Sequence, residues 1–164
     1  MNVTSGHRNV YYTSRVPFEA PNWLPDGSAL LYNASGSDPA TRGRLWKFDL
    51  ATRTPTLIDT GFAIRNNNDH VLSFDGTQLA ISDQSTDDGQ STIFTMPTRG
   101  GVPKRITPLT PQLHARLDAG CEVADLHRRA HAEGREATTS ATSTRSRPDG
   151  SGKEINLTNS PGPR

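Results

Sequence analysis

The side chains best able to do chemistry fall in two places. His127 and His131 stand four residues apart, with His114, Cys121 and Glu122 nearby. On a helix that spacing would put both imidazoles on one face, which a zinc ion could use. No paired Cys-x-x-Cys and no His-Glu-x-x-His run accompanies them, so no metal site is assigned. Serines are plentiful, yet no Gly-x-Ser-x-Gly elbow is present to expose one as a nucleophile. Gly100-Gly101 is followed by Val102-Pro103, not by the Lys-Ser or Lys-Thr that completes a phosphate loop. No catalytic residue and no cofactor is assigned either. The second place is the run Arg65-Asn66-Asn67-Asn68-Asp69-His70. Its side chains suit either a polar binding surface or a solvated loop that uses Asn and Asp for its turns.

The elements that would position these residues are short strands. Pro21 to Asn33 reads as an apolar approach, the turn Pro25-Asp26-Gly27, then the apolar run Ala29 to Tyr32. Proline presets φ, Asp bonds its own backbone and Gly accepts positive φ, so this stretch predicts a β-hairpin. A weaker copy follows 49 residues later at Phe74-Asp75-Gly76. Trp46 matches Phe94 and Ile58 matches Ile106, both 48 residues on. About four short strands per unit, with a period in the forties, predict propeller blades that must stack to bury their faces. A small sandwich with similar hairpins is the simpler alternative. The expected organisation is an all-β partial β-propeller: a disordered lead-in at 1–9, blades at 10–59 and 60–107, and a disrupted third unit of low order at 108–164.

Composition agrees with short strands and narrows the partners. Of 164 residues, 32% are hydrophobic, with 14 Gly and 12 Pro, and the mean hydropathy is −0.66. That is lean in apolar residues and rich in turn formers. The net charge of +1 gives no electrostatic case for nucleic acid. No apolar run of about 18 residues exists to insert in a membrane. The first residues show no apolar segment of a secretory signal, which points to the cytoplasm as written.

The stretches PNWLPDGSALLY, LWKFDL, TGFAIRNNNDHVLSFDGTQLAISD and IFTMPTRGGVPKRIT resemble the repeats of TolB-type β-propellers. Phe74 stands where that family usually has Pro. The resemblance covers roughly residues 10–107. It implies a six-bladed scaffold for protein contacts, without intrinsic catalysis, associated with envelope transport and hence with the periplasm. In such a fold the segment entering an innermost strand lies near the central channel, which makes Arg65, Asn66, Asn67, Asn68, Asp69 and His70 the channel-facing candidates. The alternative is the propeller portion of a larger hydrolase, such as a serine peptidase or a polysaccharide-processing enzyme.

Residues 112–147 break the pattern. All ten aromatics lie at or before Phe94, and between Gln112 and Arg147 there is no Trp, Tyr, Phe or Ile but six Arg. As written, this segment is expected to be helix or coil. A frame shifted at Gln112 can instead read a Trp-Thr-Pro-Asp turn near Gly120, and one shifted at Arg135 can read Ile-Tyr near Ser143. Both landmarks would keep the blade register, so a frameshifted third blade in a truncated or decayed gene product is the expectation. Resequencing codons 108–150 should expose the shifts; an unbroken frame shared by homologues would contradict them.

Overall fold

The structure, a computed structural model, describes residues 4–86, 89–106, 114–117, 124–129, 141–147, 149, 151 and 155–156. Its first sheet is built from β1 (Phe18–Trp23), β2 (Ala29–Ala34), β3 (Leu45–Asp49) and β4 (Thr54–Leu57). The second contains β5 (Asn66–Leu72), β6 (Gln78–Asp83), β7 (Thr92–Pro97) and β8 (Lys104–Arg105). The third contains β9 (His114–Leu117), β10 (Ala124–Arg129), β11 (Ala141–Ser146) and β12 (Ile155–Asn156). Every sheet is a four-stranded antiparallel meander in which sequence neighbours are spatial neighbours. This is the architecture of a partial β-propeller.

The two hairpin turns form in the same way. In the first, the Gly27 N–H donates to Leu24 O at 2.9 Å and the Leu24 N–H to Ala29 O at 3.0 Å. In the second, the Gly76 N–H donates to Ser73 O at 2.9 Å and the Ser73 N–H to Gln78 O at 2.9 Å. Asp26 Oδ1 accepts the Ser28 N–H at 2.9 Å, and Asp75 Oδ1 accepts the Thr77 N–H at 3.0 Å. The bond from Ser28 holds the Asp26 carboxyl below its ordinary range. Gly27 and Gly76 sit at φ +70° and +71°, where an L side chain is strained.

Because side chains alternate across a strand, each blade carries two faces. One face of blade 1 presents Leu31, Leu45 and Ile58; the facing side of blade 2 presents Leu79, Ile81, Phe94 and Met96. Together with Ala63 these form the main core, so the core lies between blades. The opposite face of blade 2 carries Ala80, Ile93 and Ile106, all buried. These three stand 49, 48 and 48 residues after Leu31, Leu45 and Ile58. Each blade therefore has a leading face toward its predecessor and a trailing face toward its successor.

Within 112–147, where helix or coil is the expectation, the described residues 114–117, 124–129 and 141–146 form strands instead. β9, β10 and β11 pair antiparallel, with Leu126 opposite both Ala115 and Thr144. Helix-compatible Ala and Arg yield here to an edge-to-edge ladder of backbone bonds, and Thr142 and Thr144 are β-branched residues suited to a pleated strand. Val10 to Thr13, at the start of the range expected for the first blade, form no strand; the Tyr12 ring packs 4.7 Å from that of Phe48. The expectation of low order over 108–164 falls largely on residues outside the described ones, as does that of disorder at residues 1–3 of the lead-in.

The hairpin turns also touch. A Cβ built on Gly76 would lie 2.7 Å from Pro25 Cδ, whereas one on Gly27 meets nothing within 4 Å. Gly27→Ala is thus predicted to lose only the positive-φ term, about 1–2 kcal/mol, and Gly76→Ala to lose more. Urea denaturation of both variants measures the difference; equal losses would contradict the contact between the turns.

Candidate functional site

The run from Arg65 to His70 is itself an innermost strand. β5 begins at Asn66, inside the polar cluster, and not at the apolar Gly61 to Ile64 that precedes it. The strand breaks register. Asn66 pairs with Asp83 and His70 with Ile81, so Asn67, Asn68 and Asp69 stand against the single residue Ser82. Asn67 Oδ1 accepts the Asp69 N–H at 2.8 Å, which closes the bulge. β1, the equivalent strand of blade 1, breaks register at the same level, between Glu19 and Asn22. Within that break Ala20 sits at φ +50°, an unusual conformation for a residue with a Cβ.

Asn66 locks the start of β5 to its surroundings. Its side chain is buried, and Nδ2 donates to Gly43 O at 2.9 Å and to Ala63 O at 2.8 Å. Its own carbonyl accepts Asn33 Nδ2 from blade 1 at 3.2 Å. Next to it, the Arg65 N–H donates to Asp83 Oδ2 at 2.8 Å and to Ser85 Oγ at 3.1 Å. Asn67 Nδ2 reaches Ser82 Oγ at 2.9 Å within its own blade. These amides fix the backbone of the bulge, leaving Arg65 and Asn68 exposed and Asp69 half-buried.

Between the two blades at this end lies a cleft of about 450 Å³, with Glu19, Asn33, Arg42, Arg65, Asn66, Asn67 and Gln84 among its walls. Of the six channel-facing candidates, the structure brings Arg65, Asn66 and Asn67 to the cleft; Asn68, Asp69 and His70 are not on its walls. Glu19 and Arg42 complete its charged lining. Sequence reasoning passed over both, since they come from β1 and from the loop after β2, and only the stacking of two blades joins them to Arg65. Two arginines and one carboxylate among amides can bind polar and charged groups by hydrogen bonding and ion pairing. Among the described residues no three His, Cys, Asp or Glu side chains converge as metal ligands, and no helix is long and apolar enough to cross a membrane.

His70 lies at the far end of the bulge, buried at the seam between the two blades. Asn22 Nδ2 of blade 1 donates to its carbonyl at 3.0 Å. Neither ring nitrogen has a hydrogen-bond partner in good geometry. Burial pushes the imidazole pKa below its ordinary value, and the nearby Leu31 and Ala20 backbone offsets this only in part.

No family model matches the chain. A functionally uncharacterised protein of Agrobacterium fabrum is 40% identical over 111 residues, which is 67% of this chain and 35% of that protein. Among solved structures, a candidate TolB from Agrobacterium tumefaciens is 33% identical with a TM-score of 0.75, over 96% of this chain and 51% of its own. TolB from Acinetobacter baumannii superposes with a TM-score of 0.68 at 19% identity, over 94% of this chain and 36% of its own. The β-propeller domain of the Trilobed protease from Pyrococcus furiosus gives 0.57 at 13% identity, over 85% and 43%. The last two show the fold alone. The chain spans about half the length of the Agrobacterium tumefaciens protein and about a third of the curated relative.

The buried imidazole makes the seam sensitive to acid. The unfolded chain protonates His70 near pH 6.5, while the folded pKa lies lower. Stability is therefore complete above that value and falls as pH drops through 6.5 toward the folded pKa, by at most about 1.4 kcal/mol per pH unit. His70→Gln should flatten the unfolding free energy between about pH 7.5 and 5.5 relative to the parent. Parallel curves for the two proteins would contradict the assignment.

Proposed function

We propose that this TolB-like β-propeller chain is a non-catalytic scaffold that holds a protein partner over the polar cleft between its first two blades, in a role associated with envelope transport. The observation that carries this is the cleft itself: exposed Arg42, Arg65 and Glu19 stand around a bulged inner strand whose backbone is held by Asn33, Asn66 and Asn67. A rigid frame lets exposed charges bind without first being ordered. The side chains of Asn68 and Asp69, just beyond the cleft, extend the same polar strip. The near-neutral chain favours a protein over a nucleic acid as the partner.

The similarity to the candidate TolB of Agrobacterium tumefaciens supports the scaffold reading. The frameshift belongs to the same proposal. β11 begins 49 residues after β7 and contains Ser143, where the shifted frame would read Ile-Tyr.

Capture of proteins from a bacterial envelope extract by the immobilised chain tests the proposal, with cross-linked peptides mapped by mass spectrometry. The expected result is a protein cross-linked around Arg42 and Arg65, retained at least tenfold less by the Arg42→Ala/Arg65→Ala variant. Equal retention by that variant, or cross-links confined to the Pro25 and Phe74 turns, would contradict it.

A further inference from the structure

The cleft between blades 1 and 2 is polarised along its length. Glu19 of β1 is the cross-strand partner of Asn33 in β2. On the other side of β2, the Gly43 N–H donates to Ala34 O at 2.9 Å and the Ala34 N–H to Arg44 O at 3.0 Å, which extends the ladder beyond β3. The backbones of Glu19 and Gly43 therefore stand two strand spacings apart, about 10 Å. Gly43 also backs directly on blade 2. Its carbonyl accepts the Asn66 N–H at 2.9 Å, and a Cβ built on it would lie 3.0 Å from Arg65 Cα. Arg42 and Arg65 thus enter the cleft at one junction of the two blades, and Glu19 enters from the far side of β2. All three are exposed on its walls.

Between these ends the walls carry two unused acceptors. Asn33 and Asn66 line the cleft and are only 3% and 5% exposed. Their Nδ2 groups are engaged, Asn33 with the Asn66 carbonyl and Asn66 with the Gly43 and Ala63 carbonyls. Those bonds fix which end of each amide is oxygen. Neither Oδ1 has a hydrogen-bond partner among the described residues. A buried acceptor left unpaired is costly, so the two amides call for an N–H donor from outside the chain. A simple anion would satisfy the arginines but leave both acceptors empty and face Glu19. A simple cation would suit Glu19 and the acceptors but face two guanidiniums. The ligand that answers every group carries a carboxylate, an N–H beside it and a cationic group further off.

We propose that the cleft captures the free carboxyl terminus of a protein whose last residue is lysine or arginine. The α-carboxylate lies between Arg42 and Arg65, which bind it by charge-assisted hydrogen bonds. The terminal amide N–H serves the Asn33 and Asn66 acceptors. The basic side chain extends to Glu19, and the separation of Glu19 from the arginines calls for a long one. Because Asn33, Asn66 and Asn67 already hold the backbone beneath, the site is set before the terminus arrives. The inference rests on the partner reading above and narrows it to one kind of chain end.

Fluorescence anisotropy of a labelled hexapeptide ending in lysine, titrated with the chain, tests the proposal. The free-acid peptide should bind at least tenfold more tightly than the same peptide with an amidated end. Arg42→Ala/Arg65→Ala should abolish that difference. Glu19→Gln should keep it but remove the preference for lysine over alanine as the last residue. These variants change exposed side chains, and circular dichroism confirms that they fold. Binding of neither peptide overturns the proposal, as does equal binding of acid and amide, or discrimination that survives the loss of both arginines. So does displacement of the peptide by an equal concentration of free lysine, which would make a free amino acid the ligand. The two readings fail separately. Acid and amide bound alike removes the chain end even where an extract protein cross-links at Arg65, whereas discrimination with no partner captured from the extract supports the site and removes only the envelope partner.

Discussion

The structure depends on one contact, the packing of a trailing face against the next leading face. A single four-stranded meander has no inside: its apolar residues alternate between two surfaces, and neither is buried until another sheet arrives. Leu31, Leu45 and Ile58 from blade 1 are closed off only because Leu79, Ile81, Phe94 and Met96 are placed opposite them. Burying side chains of this size contributes on the order of 1.5–3 kcal/mol each. The polar groups at the two ends of the seam follow from the same stacking, since Asn33 can reach the Asn66 carbonyl and Asn22 the His70 carbonyl only across it.

The candidate site is a product of that seam and of the inner-strand bulges. Both β1 and β5 lose register at the same level, and the positive φ of Ala20 marks a local strain that the surrounding sheet tolerates. The bulge in β5 divides one polar run between two environments. Its start is locked and opens on a cleft; its end, His70, is buried with its ring unpaired. Neighbours in sequence thus serve a surface and a core.

The blade repeat was legible because it is written in turn chemistry and large side chains. Asp-Gly recurs at a fixed distance, Trp46 and Phe94 hold the same leading-face position, and Ile58 and Ile106 the same trailing one. The strands of the third sheet were not legible. Ala, Arg and Thr between Gln112 and Arg147 lack the apolar alternation that signals a strand, and what pairs them is the context of the meander. The fate of the Arg65 to His70 run was hidden for a different reason. A polar sequence says which groups want partners, but only the stacked blades show that Asn66 finds carbonyls, that Arg65 meets Arg42 and Glu19 around a cleft, and that the His70 ring finds no hydrogen-bond partner in good geometry.

If the seam holds the structure together, blades 1 and 2 cannot open separately. Native-state hydrogen exchange reads this directly. Amides of β2 and β3 in the first sheet and of β6 and β7 in the second should share one opening free energy and lose protection together in mild denaturant. Two distinct opening free energies, with one sheet exchanging while the other stays protected, would contradict the account.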